Sequence, residues 1–180
     1  MSCSMGAVIL RGNLGHKIQR GRIMPSRREL IQLSDSEIRD YLNAQKTLII
    51  VSNGKDGFPH PMPMWFCVDD AGCLYCTTFT KAQKVYNFKR DPKATLLVES
   101  GEEYAQLKGL VIYADAEVID SYDAVCDALV RINTKGREVD EEGRKKLLAA
   151  VSPTATKRVL LKFTPRSYVS WDHSKLGGRY

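Results

Sequence analysis

The chain has 180 residues, 43% hydrophobic and 27% charged, the balance of one ordinary globular domain long enough to bury a core. Its formal charge of +6 is concentrated at the start: residues 1–28 hold six basic groups (Arg11, Lys17, Arg20, Arg22, Arg27, Arg28) and no acidic one, while the remaining 21 basic residues balance all 21 acidic ones. A neutral body argues against a phosphate-backbone surface, no run approaches the roughly 18 apolar residues of a membrane span, and five cysteines form no secreted framework. The expectation is a cytoplasmic protein with neither nucleic acid nor membrane as partner.

Residues 1–25 lack sustained periodicity and read as a basic, poorly ordered tail, with Met24 an alternative start; the organised domain is 26–180. Ser34 and Glu37 have the spacing of a capping box, and Ile38, Tyr41 and Leu42 give the helix that follows an apolar stripe. Residues 47–51 read as a buried strand, and 53–57 as a hairpin connection. Next comes an extended run with Pro59, Pro61 and Pro63 at alternate positions, ending near Val68. Prolines two apart strip the N–H donors from one edge of a strand and leave the other edge intact through His60, Met62 and Met64. Such a run belongs at a sheet edge. Either it protects that edge, or something other than a strand, such as a flat ligand, lies along it.

Residues 73–78 form the next strand, followed by a helix over 81–90 that Pro92 stops. Strands are expected over 94–99 and 107–119. Ser121 caps a helix carrying Val125, Leu129 and Ile132, a charged helix spans 140–150, and a last strand covers 158–163, with 168–173 read as its extension. About six strands joined mostly by tight turns, with helices inserted irregularly, predict an antiparallel barrel with α additions.

The junction Thr77-Thr78-Phe79-Thr80-Lys81-Ala82-Gln83-Lys84 is the best local site. A strand ends there and a helix begins, so free N–H groups and the positive end of the helix dipole point outward. Two hydroxyls with Lys81 and Lys84 on one face of the first turn make a phosphate site; the alternative is two solvated lysines and a threonine cap. Cys73 and Cys76 have CxxC spacing but face opposite sides of a strand, and His16, His60 and His173 have no metal-ligand spacing. No metal site and no catalytic acid–base pair is identified.

Three segments in this order, Gly57–Trp65, Leu74–Thr78 and Lys84–Pro92, resemble the split β-barrel flavoprotein superfamily that includes pyridoxamine 5′-phosphate oxidase. The ending Ser170–Gly178 is similar to its branch of small flavin- or deazaflavin-dependent oxidoreductases, and the longer Arg-rich ending of true pyridoxamine phosphate oxidases is absent. The resemblance covers about residues 26–180. It implies a mainly β fold, a six-stranded antiparallel split barrel, and a homodimer with cofactor sites at the interface. Pro61, Met62, Pro63 and Met64 would lie along the cofactor ring. Thr77, Thr78, Lys81 and Lys84 would hold its phosphate, and Asn87 would brace the helix. Trp171, His173 and Lys175 would close the site from the partner chain. Family members often carry Ser or Arg where this chain has Ala82, which loses one phosphate donor. The implied activity is hydride transfer between FMN, or alternatively F420, and a conjugated, mostly apolar small molecule; the alternative is a non-catalytic flavin or F420 carrier or sensor. The acidic tail of F420 would want further cations, for which Lys89, Arg90 and Lys175 are the candidates.

Overall fold

The computed structural model describes residues 26–177. The basic segment 1–25, with Met24 and His16, and residues 178–180 lie outside the described residues. Seven segments form one antiparallel sheet: β1 (Thr47–Asn53), β2 (Pro59–Trp65), β3 (Cys67–Val68), β4 (Leu74–Phe79), β5 (Lys93–Ser100), β6 (Lys108–Ile119) and β7 (Arg158–Asp172). Their spatial order is β2-β1-β5-β6-β7-β4-β3. β2 and β3 occupy opposite edges of this sheet yet are joined through Phe66 alone. Two chain steps span at most about 7 Å, so the two edges must meet and the sheet must curl. The fold is the mainly β split barrel with α additions. β2 and β3 are halves of the one proline-marked strand, which is why six expected strands appear as seven segments.

Alternation sends Leu48 and Ile50 of β1, Leu96 and Val98 of β5, Leu110 and Ile112 of β6, and Leu161 and Phe163 of β7 into the barrel, where all are buried. Helix α2 (Asp35–Ala44) closes one end with Ile38, Tyr41 and Leu42. Its N-terminus is fixed as expected: the Ser34 hydroxyl accepts from the Glu37 N–H, and the Glu37 carboxylate accepts from the Ser34 N–H at 2.7 Å. Helix α3 (Gln83–Arg90) closes the other end with Phe88, edge-on to Phe163 at 5.5 Å. Helices α4 (Tyr122–Thr134) and α5 (Glu141–Ala155) pack outside β4 and β7 around Val125, Ala128, Ala155 and Leu160.

Three elements differ from the sequence reading. A short helix α1 (Arg27–Leu30) forms on its own capping box of Ser26 and Glu29. Helix α5 continues past 150 to Ala155, because Pro153 stands so near its end that little of the ladder is lost. β7 runs unbroken through Pro165, where the register steps from Ala114↔Pro165 to Tyr113↔Ser167 and leaves Arg166 as a bulge. The bulge relieves an interior strand of a residue that cannot donate. Among the described residues, no helix is long and apolar enough to cross a membrane.

The outer face of β2, β1, β5 and β6 carries apolar residues that the barrel does not bury. Ile49, Val51, Leu97 and Val111 are half-buried, while Trp65 is 65% and Tyr113 48% exposed.

Candidate functional site

In an antiparallel strand the N–H and C=O of one residue point to the same edge. β2 pairs only with β1, in the register His60↔Ser52, Met62↔Ile50 and Met64↔Leu48. Prolines cannot donate, so the donors to β1 are His60, Met62 and Met64, and Pro59, Pro61 and Pro63 turn their edge to the other side. That edge offers carbonyls and no N–H. Around the barrel it faces β4, whose pairing with β3 ends at Tyr75; β2 and β4 come together without forming a ladder. The proline run is therefore the reason the barrel stays split. Met62 and Met64 pack inward against the core, while Pro61 and Pro63 stand exposed outside.

At the α3 end of this split, Thr78 points into the barrel with Leu74 and Cys76. The Lys84 ammonium donates to the Thr78 hydroxyl at 3.3 Å, and the residue is only 6% exposed. An ammonium has three donors, and this long bond is the one it makes among the described residues. Burial pushes the Lys84 pKa below the ordinary lysine value. Ala82, at the N-cap, supplies no side-chain acceptor to the first-turn amides. Asn87, fully buried, donates to the Ser52 hydroxyl at 2.9 Å and accepts from Gln83 at 3.0 Å, which ties α3 to β1.

His60 lies at the same end, opposite Ser52, and its Nδ1 is buried with no partner among the described residues. Sequence reasoning left it out of the site. The available signal was its position: the first inward-facing residue of the proline run sits at the mouth of the barrel.

The structure brings Thr78, Lys84 and Asn87 together with the proline edge, but it separates other candidates from them. Thr77 faces the opposite side of β4, paired with Leu160 under α4 and α5. Lys81 does not share the first turn of α3 with Lys84. The Ala82 N–H donates to the Phe79 carbonyl at 2.9 Å, and this turn leaves Lys81 exposed before the helix begins. Trp171 lies flat on Gly109, where an added Cβ would stand 2.1 Å from the indole Cζ2. His173 sits against Tyr104, its Nδ1 2.9 Å from the Tyr104 carbonyl oxygen. Lys175 donates at 2.7 Å to both Glu37 and the Gln32 carbonyl, and this bond draws the Glu37 carboxyl down to about 2. Val159 pairs with Thr78, so Trp171 is about 40 Å along β7 from the Lys84 end at roughly 3.3 Å per residue. Within one chain these two groups cannot line one pocket.

A family model described as pyridoxamine 5′-phosphate oxidase matches residues 34–172. No curated protein matches the chain. Among solved structures, a conserved hypothetical protein of Mycobacterium tuberculosis is 30% identical, with a TM-score of 0.75 over 87% of this chain and 95% of that one. An F420 reductase is 19% identical, with a TM-score of 0.53 over 72% of this chain and 94% of that one. The haem storage protein HutZ of Vibrio cholerae is 16% identical, with a TM-score of 0.57 over 78% and 97%. The last two show likeness of fold alone.

Proposed function

Because the chain belongs to the pyridoxamine 5′-phosphate oxidase family, we propose that it is a cytoplasmic flavin-type oxidoreductase, binding FMN, or alternatively F420, at the split between β2 and β4. The observation that carries this reading is Lys84. A buried cation with a single long hydrogen bond costs stability unless an anion completes its shell. The Thr78 hydroxyl and the first-turn amides of α3 add neutral donors, and together they suit the phosphate that both cofactors carry. The carbonyls of the proline edge suit a ring N–H, and with no N–H of its own that edge cannot complete a ladder with a neighbouring strand. The unpartnered His60 Nδ1 at the same mouth fits a polar ligand better than empty space.

Bound there, FMN or F420 supplies the hydride chemistry, and the protein positions and shields it. Lys84 neutralises the phosphate, and Asn87 fixes the helix that carries Lys84. Met62 and Met64 back the ring strand with polarizable side chains. A partner chain brings Trp171, His173 and Lys175 over the ring, which the single chain cannot do. The substrate would be a conjugated, mostly apolar small molecule. Of the three cations an acidic F420 tail would use, Arg90 already serves the Asn53 carbonyl and Lys175 serves Glu37, which leaves Lys89 alone and favours FMN.

A carrier or sensor is the second reading, supported by the haem storage protein among the neighbours. Two measurements test these readings. Titration of apo-protein with FMN and with F420 is expected to give saturable binding of one, weakened by roughly 1.5–3 kcal/mol in Lys84→Ala, the range for a charged hydrogen bond. Unchanged affinity for both cofactors in that variant removes Lys84 from the site. Turnover of the reduced, loaded protein separates an enzyme from a carrier.

A further inference from the structure

A separate cavity opens at the far end of β2 from Lys84. It encloses about 210 Å³ between the C-terminal ends of α2 and α4, and Lys46, Trp65, Phe66, Asn133, Lys135 and Arg137 line it. Three of these are cations, none is acidic, and among the described residues none of the three is ion-paired. Glu99 shares a neighbouring cavity with Lys46, and Glu138 follows Arg137 in the chain, but neither lines this cavity. Lys135 is fixed in place. Its ammonium donates at 2.7 Å to the carbonyls of Leu42 and Gln45 and stands 3.3 Å from the centre of the Phe66 ring. Lys46 and Arg137 are exposed; Arg137 donates to the Asn133 carbonyl, a neutral acceptor that leaves its charge uncompensated, and Trp65 presents a large flat ring at the rim.

We infer that this cavity is a binding site for planar aromatic acids, with the ring on Trp65 and the carboxylate held by Lys46 and Arg137 beside the fixed charge of Lys135. Two unpaired cations at one opening repel each other, and an anion between them removes the repulsion. An indole face takes a flat ring in offset stacking. The volume is below the roughly 300–1,000 Å³ that enclose a drug-sized ligand, so it holds one or two fused rings or the acidic end of a longer conjugated molecule. β2 is about 20 Å long. A cofactor anchored at Lys84 and laid along Pro61–Met64 therefore ends next to Trp65. The cavity is then the acid-recognition subsite of the substrate, a role that rests on the proposed cofactor site, whereas binding of the acid does not.

Calorimetric titration of the full chain, apo and loaded with FMN, with 2-naphthoate and with its neutral analogue 2-naphthamide tests the inference. The acid is expected to bind at least tenfold more tightly than the amide, and added salt should erode that preference. Lys46→Gln/Arg137→Gln should abolish the preference without unfolding the chain, since both side chains are exposed. Trp65→Ala should weaken acid and amide alike. Lys84→Ala should leave naphthoate binding intact while losing FMN, which separates failure of the cofactor reading from failure of this one. Equal affinity for acid and amide, a preference that survives the double substitution, or no binding of either compound overturns the site.

Discussion

Asn87 on α3 and Ser52 on β1 are both fully buried and joined by a hydrogen bond of 2.9 Å across the mouth of the barrel. Each is the other's reason for being tolerated in a dry interior. Asn87→Leu leaves the Ser52 hydroxyl unpartnered and should cost about 1–3 kcal/mol in urea unfolding. Adding Ser52→Ala should recover part of that loss, because removing both polar groups leaves nothing unsatisfied. If the double variant is no more stable than Asn87→Leu, the bond is not what holds α3 to β1.

Much of this mouth was legible in the sequence. Pro59, Pro61 and Pro63 fix which edge of β2 is free, because the missing N–H is a covalent fact that no tertiary contact alters. Ser34 and Glu37 fix a helix start for the same local reason. Thr77 was not placed correctly relative to Lys84, because adjacent strand residues face opposite sides and the covering of the second side by α4 and α5 is a tertiary outcome. Lys81 left the helix because one turn, Ala82 to Phe79, delayed its start by two residues. Helix boundaries of that kind depend on single hydrogen bonds. The cavity at Trp65 had no sequence signal, since Lys46, Trp65 and Arg137 converge only through the packing of α2 and α4.

Gly109 has no room for a side chain. A Cβ there would meet the Trp171 indole at 2.1 Å, and the neighbour is a rigid ring. Gly109→Ala should lower stability by about 1–3 kcal/mol, the usual cost of overpacking, and displace the indole. A shift in tryptophan emission accompanying the lower melting temperature checks both effects. Gly109→Ala combined with Trp171→Ala should restore most of the stability; a double variant as unstable as the single one would place the strain elsewhere.

Burial pulls the Lys135 ammonium down to about 8 from an ordinary value of 10.5. The folded chain therefore releases this proton near pH 8 and the unfolded chain near 10.5. Between those values the unfolded state binds more protons, so this lysine makes stability rise with pH across that window. Below pH 8 the desolvation penalty is present in full. Unfolding free energies of wild type and Lys135→Met, measured from pH 7 to 11, should differ by an amount that moves in favour of wild type as pH rises, on top of the fall that the raised Cys67, Cys76 and Tyr41 values impose on both. Parallel curves would mean that Lys135 titrates normally.

The outer face of the barrel predicts assembly. Ile49, Val51, Leu97 and Val111 share it with Tyr113, in registers that place them side by side across β1, β5 and β6. A continuous apolar face of this kind is a contact surface in most soluble proteins. An isologous two-fold dimer that reverses the strand direction would bring the Trp171 end of one copy to the Lys84 end of the other, which is what the proposed cofactor site requires. Sedimentation at micromolar concentration should give twice the chain mass. Val111→Glu is half-buried in one chain, where water reaches it, but would be an unpaired buried charge in the dimer. It should yield a folded monomer that binds cofactor more weakly, with Trp171→Ala reproducing the loss of binding in a dimer that stays intact. A Val111→Glu monomer with undiminished cofactor affinity would confine the site to Lys84, Thr78 and the proline edge of a single chain.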